Sequence, residues 1–137
     1  MDGMNQQLRI KAAWMRGGTS KGLFFHERDL PMNSTEREAI FLAAIGSPDP
    51  YGRQLNGVGG ATSSTSKIVI IAPSQDANFD VNYTFGHLAI QQPTIDWSGN
   101  CGNLVAAVAH FAIEERLIKT PVENGLQLVR IWQTNVN

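Results

Sequence analysis

Asp96-Trp97-Ser98-Gly99-Asn100-Cys101-Gly102-Asn103, running directly into the apolar stretch Leu104 to Ile113, decides the fold of this chain. Between Leu104 and Ile113 only His110 is plainly polar. A surface helix carries polar residues on one face, so a helix apolar nearly all round is expected to be enclosed by other elements. The spacing predicts a central helix from about Gly102 to Leu117, with the single cysteine at its start. Unpaired backbone N–H groups and the helix dipole favour negative charge at that end, so they can hold a carboxylate or lower a thiol pKa. A free cysteine is otherwise most often a small buried hydrophobe. Here Gly99 and Gly102 supply permissive backbone, and Asn100 and Asn103 bring amides that a dry core would leave unpaired, which favours a ligand site.

Outward from this helix the chain reads as strands. Leu8 to Arg16 is expected as a strand, followed by a wide polar loop over Gly17-Gly18-Thr19-Ser20-Lys21-Gly22 and a short strand from Leu23 to His26. Asn33 is placed to cap a helix from Ser34 to about Ile45, which Gly46-Ser47-Pro48 ends. Pro48 to Ser66 is rich in glycine and hydroxyls, too polar for a core and too long for a simple turn, and such loops are often functional. Ile68 to Ala72 reads as a buried strand after Lys67, and Phe79, Val81, Tyr83 and Phe85 alternate as a half-buried one, extending through His87 towards Gln91. Leu126 to Thr134 gives a last strand. These elements predict an α+β domain, a mixed and mainly antiparallel sheet wrapped around the buried helix.

Composition narrows the function. The chain has 137 residues, is 42% hydrophobic and 17% charged, and carries a formal net charge of -1, which fits one globular domain without the basic footprint of a nucleic-acid binder. No apolar run reaches the roughly 18 residues of a spanning helix, so neither nucleic acid nor membrane is an expected partner. One cysteine forms no internal disulfide, which points to a reducing, cytoplasmic setting. The patterns Asn33-Ser34-Thr35 and Asn82-Tyr83-Thr84 then read as chance glycosylation matches.

Several candidate sites fail on order or spacing. Gly17-Gly18-Thr19-Ser20-Lys21 has the wrong order for a phosphate loop and leads into a strand, and Gly57-Val58-Gly59-Gly60 misses the dinucleotide pattern. His26, His87 and His110 lack metal-ligand spacing. Asp96 and Trp97 read as shaping the approach to the helix. Lys67 is either a solvated residue opening a strand or an ammonium that neutralises a carboxylate or an enolate-like oxygen. Arg16, Lys21 and Arg53 stand beside glycine-rich turns, as carboxylate-reaching cations or as plain surface charges.

Four stretches together carry a resemblance: Met15-Arg16-Gly17-Gly18-Thr19-Ser20-Lys21-Gly22, Gly46-Ser47-Pro48-Asp49-Pro50-Tyr51-Gly52-Arg53-Gln54, Gly59-Gly60-Ala61-Thr62-Ser63-Ser64-Thr65-Ser66-Lys67, and Trp97-Ser98-Gly99-Asn100-Cys101-Gly102-Asn103. In this order they resemble the 2-methylaconitate cis–trans isomerase (PrpF) family, with its related isomerases and tautomerases of unsaturated di- and tricarboxylates. The resemblance implies the diaminopimelate epimerase-like fold, two similar halves that each wrap a sheet around a helix with the active site between them. Members of that family are much longer. The chain is therefore expected to be an N-terminal portion, residues 1–137 of a two-domain isomerase, whose C-terminal half is its missing partner. Half a cleft would be exposed, inviting self-association such as a homodimer, and alone this portion should show little activity.

The implied chemistry is a cofactor-free proton transfer on a small polycarboxylate, with a place in propionate catabolism. Lys67 and Cys101 carry over as the catalytic positions, Lys67 for charge stabilisation or proton transfer and Cys101 as base or shaping residue. Arg16, Thr19, Ser20, Lys21, Arg53, Ser64, Ser66, Asn100, Gly102 and Asn103 are candidates for holding carboxylates. Cys101-Gly102-Asn103 runs into Leu104-Val105 where the amino-acid epimerases continue with glycine and soon an arginine, which weakens a racemase reading. The alternatives are an epimerase of the same fold and a non-catalytic polycarboxylate-binding accessory protein.

Overall fold

A computed structural model describes residues 8–119 and 122–135. The strands are β1 (Ala13–Gly17), β2 (Ser20–His26), β3 (Lys67–Pro73), β4 (Val81–Leu88), β5 (Ile95–Asp96) and β6 (Ile131–Gln133), and the α-helices are α1 (Ser34–Ile45) and α2 (Gly102–Glu114). The sheet runs β1-β2-β3-β4-β5, with β6 also paired to β4. The β2–β3 and β4–β6 pairs are parallel, and the other three are antiparallel. The α+β class and the mixed, mainly antiparallel sheet are as the sequence leads one to expect.

Side-chain alternation divides the core into two layers. Phe24, Val69, Ile71, Val81, Tyr83 and Phe85 meet Leu104, Ala107, Val108 and Phe111 of α2 on one face of the sheet. Leu23, Phe25, Ile68, Ile70 and Leu88 meet Phe41 and Ile45 of α1 on the other. The apolar run Ile68 to Ile71 is explained by this double covering, since both of its faces are buried. Asn33 caps α1 as its sequence position suggests, its Oδ1 accepting the Glu36 N–H at 3.0 Å, and Gly46 ends the helix with φ 96°.

Several boundaries differ from expectation. The β1 ladder starts at Ala13 instead of Leu8, because Lys11 and Ala12 leave the sheet and rim an opening with His26, Phe111 and Glu115. The loop between β1 and β2 is not wide: Gly17 pairs with Ser20, leaving Gly18 and Thr19 as a two-residue turn that the φ of 57° at Gly18 permits. β4 begins at Val81, with Phe79 before it packing its ring at a tilt against Trp132, centres 5.2 Å apart, and it stops at Leu88. α2 ends at Glu114, short of Leu117, where Arg116 takes φ 59° and the Leu117 N–H turns back to the Ala112 carbonyl. β6 keeps only Ile131–Gln133, because Glu123 and Leu126 close on each other around Asn124-Gly125.

α2 is also less enclosed than its composition implies. Leu104, Ala107, Val108, Phe111 and Ala112 are buried against the sheet, while among the described residues Ala106, His110 and Ile113 form an exposed strip. The sheet covers one side of the helix.

Candidate active site

The start of α2 is seated by the β1–β2 turn. A Cβ on Gly17 would lie 2.2 Å from the Asn103 carbonyl oxygen, and one on Gly18 would lie 2.4 Å from Asn103 Oδ1. Only bare backbone fits, so the two glycines let the turn press against the first turn of the helix. Asn103 Nδ2 then donates to Thr19 Oγ1 at 3.1 Å. Alternation on β2 and β3 brings Ser20 and Lys67 to the same face of the sheet as α2.

Three side chains converge there. Lys67 Nζ donates to Ser20 Oγ at 2.9 Å and to Cys101 Sγ at 3.2 Å, and Cys101 Sγ and Ser20 Oγ are 3.7 Å apart, the thiol donating when protonated and the hydroxyl donating when the sulfur is a thiolate. The ammonium also stands 5.8 Å from the centre of the Phe85 ring, on the aromatic face that attracts a cation. Ser20 and Cys101 are buried and Lys67 is half-buried, whereas Thr19, Asn100, Gly102 and Asn103 are exposed around them. Burial alone pushes the Cys101 thiol up. The Leu104 N–H in the first turn of α2, the Ser20 hydroxyl and the Lys67 ammonium outweigh it, and the thiol lies below its ordinary value. The Tyr83 hydroxyl, which donates to the Cys101 carbonyl at 3.4 Å, is pushed strongly upward by burial and then by the neighbouring thiolate, so it stays a neutral donor.

The structure therefore brings Ser20, Lys67 and Cys101 together, with Thr19, Asn100, Gly102 and Asn103 at the rim. Arg16 and Lys21 do not join them. They pair with each other across β1 and β2 at positions that alternate to the α1 face, with Trp14 and Leu23. The Arg16 guanidinium donates instead to the Gly18 carbonyl at 3.4 Å. Arg53 lines a different opening, with Pro48, Asp49, Tyr51 and Leu55. Ser64 bonds within its own loop to Thr62 Oγ1 at 3.2 Å. Ser66 is fully buried and its hydroxyl is committed to the Thr62 carbonyl at 2.7 Å, so it shapes the loop and presents nothing to a ligand.

Two residues near the cluster gain their places only from the tertiary structure. His87 stands directly opposite Lys67 on β4, and opposite Asp96 on its other side, a placement that only the register reveals. The Asp96 carboxyl lies below the usual range because Ser98 donates to it through both hydroxyl, at 2.6 Å, and backbone, with His87 adding attraction. Gln54 is a fully buried amide whose bonds run to Ser47, Ala61 and Ser66. A glutamine within a polar loop gives no hint of such burial.

Among the described residues no group of His, Cys, Asp and Glu is arranged to hold a metal ion, and no helix is long and apolar enough to cross a membrane.

The family described as PrpF protein matches residues 7–137. The chain is 54% identical over 136 residues to a 2-methyl-aconitate isomerase of Shewanella oneidensis, covering 95% of this chain and 34% of that protein. It is 52% identical over 136 residues to a 2-methyl-aconitate isomerase of Cupriavidus necator, with the same 95% and 34% coverage. A crystal structure of methylitaconate-delta-isomerase superposes with a TM-score of 0.88 at 42% identity, covering 96% of this chain and 33% of that one. The chain thus spans about a third of the length of the relatives it matches.

Proposed function

The chain belongs to the PrpF family, and on that premise we propose that it forms the catalytic wall of an isomerase that moves a proton within a small unsaturated di- or tricarboxylate. The observation that carries this reading is the Lys67 ammonium bonded to both the Cys101 thiol and the Ser20 hydroxyl at the start of α2. The related proteins are named for 2-methyl-aconitate and methylitaconate, acids whose C–H bonds next to the conjugated system are acidic.

In this scheme Cys101 acts in its thiolate form, which its surroundings favour relative to a free thiol, and takes the C–H proton, while the electron pair of that bond spreads into the conjugated carboxylate. Negative charge grows on the carboxylate oxygens. Lys67 stabilises it, because among the described residues two of its three N–H donors are engaged and the third is left for an oxygen. Thr19, Asn103 and the first amides of α2 hold a carboxylate group at the exposed rim. Return of the proton to the far carbon moves the double bond, and return to the first carbon after rotation exchanges cis for trans. No cofactor takes part. The opposite wall of the cleft is assigned to the part of the relatives' length that this chain does not span, so residues 1–137 alone should turn over little substrate. A working thiolate suits a reducing compartment, which supports a cytoplasmic location.

The test is proton exchange. Incubated in deuterated water with 2-methylaconitate or methylitaconate, the intact protein should place deuterium on the substrate carbon, followed by NMR. Lys67→Ala should cut that rate by about 100-fold or more, the range expected when a positioned group leaves a proton transfer. Absence of both exchange and isomerisation across such acids would sink the reading.

A further inference from the structure

We propose that Gln54 is a positioning residue for Lys67, its buried amide fixing through Ser66 the peptide from which Lys67 reaches Ser20 and Cys101. Three segments meet on this one side chain. Gln54 Nε2 donates to Ser47 Oγ at 3.1 Å, just past the end of α1, and to Ser66 Oγ at 3.0 Å, immediately before β3. Gln54 Oε1 accepts the Ala61 N–H at 2.8 Å, from the glycine-rich loop between them. Ser66 has one hydroxyl proton, and the Thr62 carbonyl at 2.7 Å takes it, so Ser66 receives from Gln54 as it gives to the loop. Every polar group of the buried amide is satisfied, a condition that specifies a single arrangement.

The backbone around Gln54 is built for the same purpose. Gln54 takes φ 53°, a left-handed conformation uncommon for a residue with a side chain. The Asp49 carboxylate holds it there by accepting the N–H groups of Tyr51 at 2.9 Å, Arg53 at 3.1 Å and Gln54 at 2.8 Å. At the far end, the Ser66 carbonyl accepts the Leu88 N–H at 2.9 Å from the end of β4. Strained residues persist where their surroundings over-determine them, and such positions gather at functional sites. Lys67 is the first residue of β3, directly after a loop with several glycines, so a post inside that loop is what keeps its starting point fixed.

The effect on turnover rests on the isomerase reading, but the clamp itself is read independently through the Cys101 thiol. In the intact protein, thiolate is followed by ultraviolet absorbance against pH, as the difference from a Cys101→Ala variant. Gln54→Gly removes the amide while easing the left-handed backbone, Ser66→Ala removes the arm that leads to Lys67, and Ser47→Ala removes the arm that does not. Gln54→Gly and Ser66→Ala should raise the thiol midpoint by about one pH unit, a tenfold loss of thiolate below it. They should also lower kcat about tenfold while KM changes little, as expected when a transition-state contact is displaced. Ser47→Ala should leave the midpoint in place. A folded Ser66→Ala protein with an unshifted thiol overturns the proposal, as does an equal shift in Ser47→Ala, and if Gln54→Gly does not fold, Ser66→Ala decides alone. Should the intact protein turn over no unsaturated acid, the isomerase reading fails while the thiol titration still judges the clamp.

Discussion

Lys67 Nζ lies 3.2 Å from Cys101 Sγ, so a cation carried by the first residue of β3 is laid against the thiol that opens α2. The native thiol is shifted down, which means the native state binds the deprotonated form better than the unfolded chain does. Its contribution to stability is present above the unfolded thiol's value and is lost as pH falls through the native midpoint. Lys67→Met, which keeps the length of the side chain without its charge, should move the midpoint upward. Thiolate absorbance against pH measures this. The charged and titratable groups facing the pair are few: His87 opposite Lys67, and Tyr83, whose hydroxyl bonds the Cys101 carbonyl. The displacement is therefore attributable chiefly to the lost ammonium.

Gly17 tests how closely the turn must meet the helix. In Gly17→Ala the new methyl would fall 2.2 Å from the Asn103 carbonyl oxygen, a backbone atom that cannot swing aside, so the turn or the helix start must retreat. Overpacking of this kind costs about 1–3 kcal/mol. The expected result is a lower denaturant midpoint with an unchanged slope, together with activity lost beyond what stability explains, because the Thr19–Asn103 bond is stretched.

Much of this fold was legible because its signals are local. Asn33 before a helical pattern announced the cap of α1, and the run from Ile68 to Ile71 announced a strand covered on both faces. What stayed hidden depends on register. Arg16 and Lys21 flank the same turn as Thr19 and Ser20, yet one step of alternation sends them to the other side of the sheet. His87 comes opposite Lys67 only once β3 and β4 are paired, and Gln54 is buried only because distant segments close over it. The meeting of Lys67 with Cys101 was legible from the two motifs that carry them, and the surroundings were opaque wherever tertiary pairing chooses between equivalent polar residues.

Leu104 is the packing counterpart of this chemistry. It is fully buried at the first turn of α2, one residue after Asn103 and three after Cys101. Leu104→Ala leaves a cavity in the core layer that Leu104 shares with Cys101 and should cost about 2–5 kcal/mol. Equilibrium unfolding in urea gives the loss directly. A value under about 1 kcal/mol would mean that the start of α2 is looser than its burial indicates.

Asp80 sets the far edge of the sheet. Its side chain is fully buried just before β4, accepting the Lys119 N–H at 2.7 Å and the Arg130 N–H at 2.8 Å, with the Arg130 guanidinium at 3.4 Å. These contacts draw the segment after α2 and the approach to β6 onto one carboxylate. Asp80→Ala removes the acceptor and strands both N–H groups and part of a cation. Each donor stranded by loss of the buried acceptor costs about 1–3 kcal/mol, while the half-exposed Arg130 guanidinium can turn to water. Asp80→Asn keeps an acceptor oxygen but not the charge, so it should fall between Asp80→Ala and the unaltered protein. That ordering in urea midpoints separates the backbone acceptor role from the ion pair, because if charge were the main contribution the two variants would unfold together. Lys67 and Cys101 lie at the other end of the sheet's strands, so the thiol titration should be the same in both variants as in the unaltered protein.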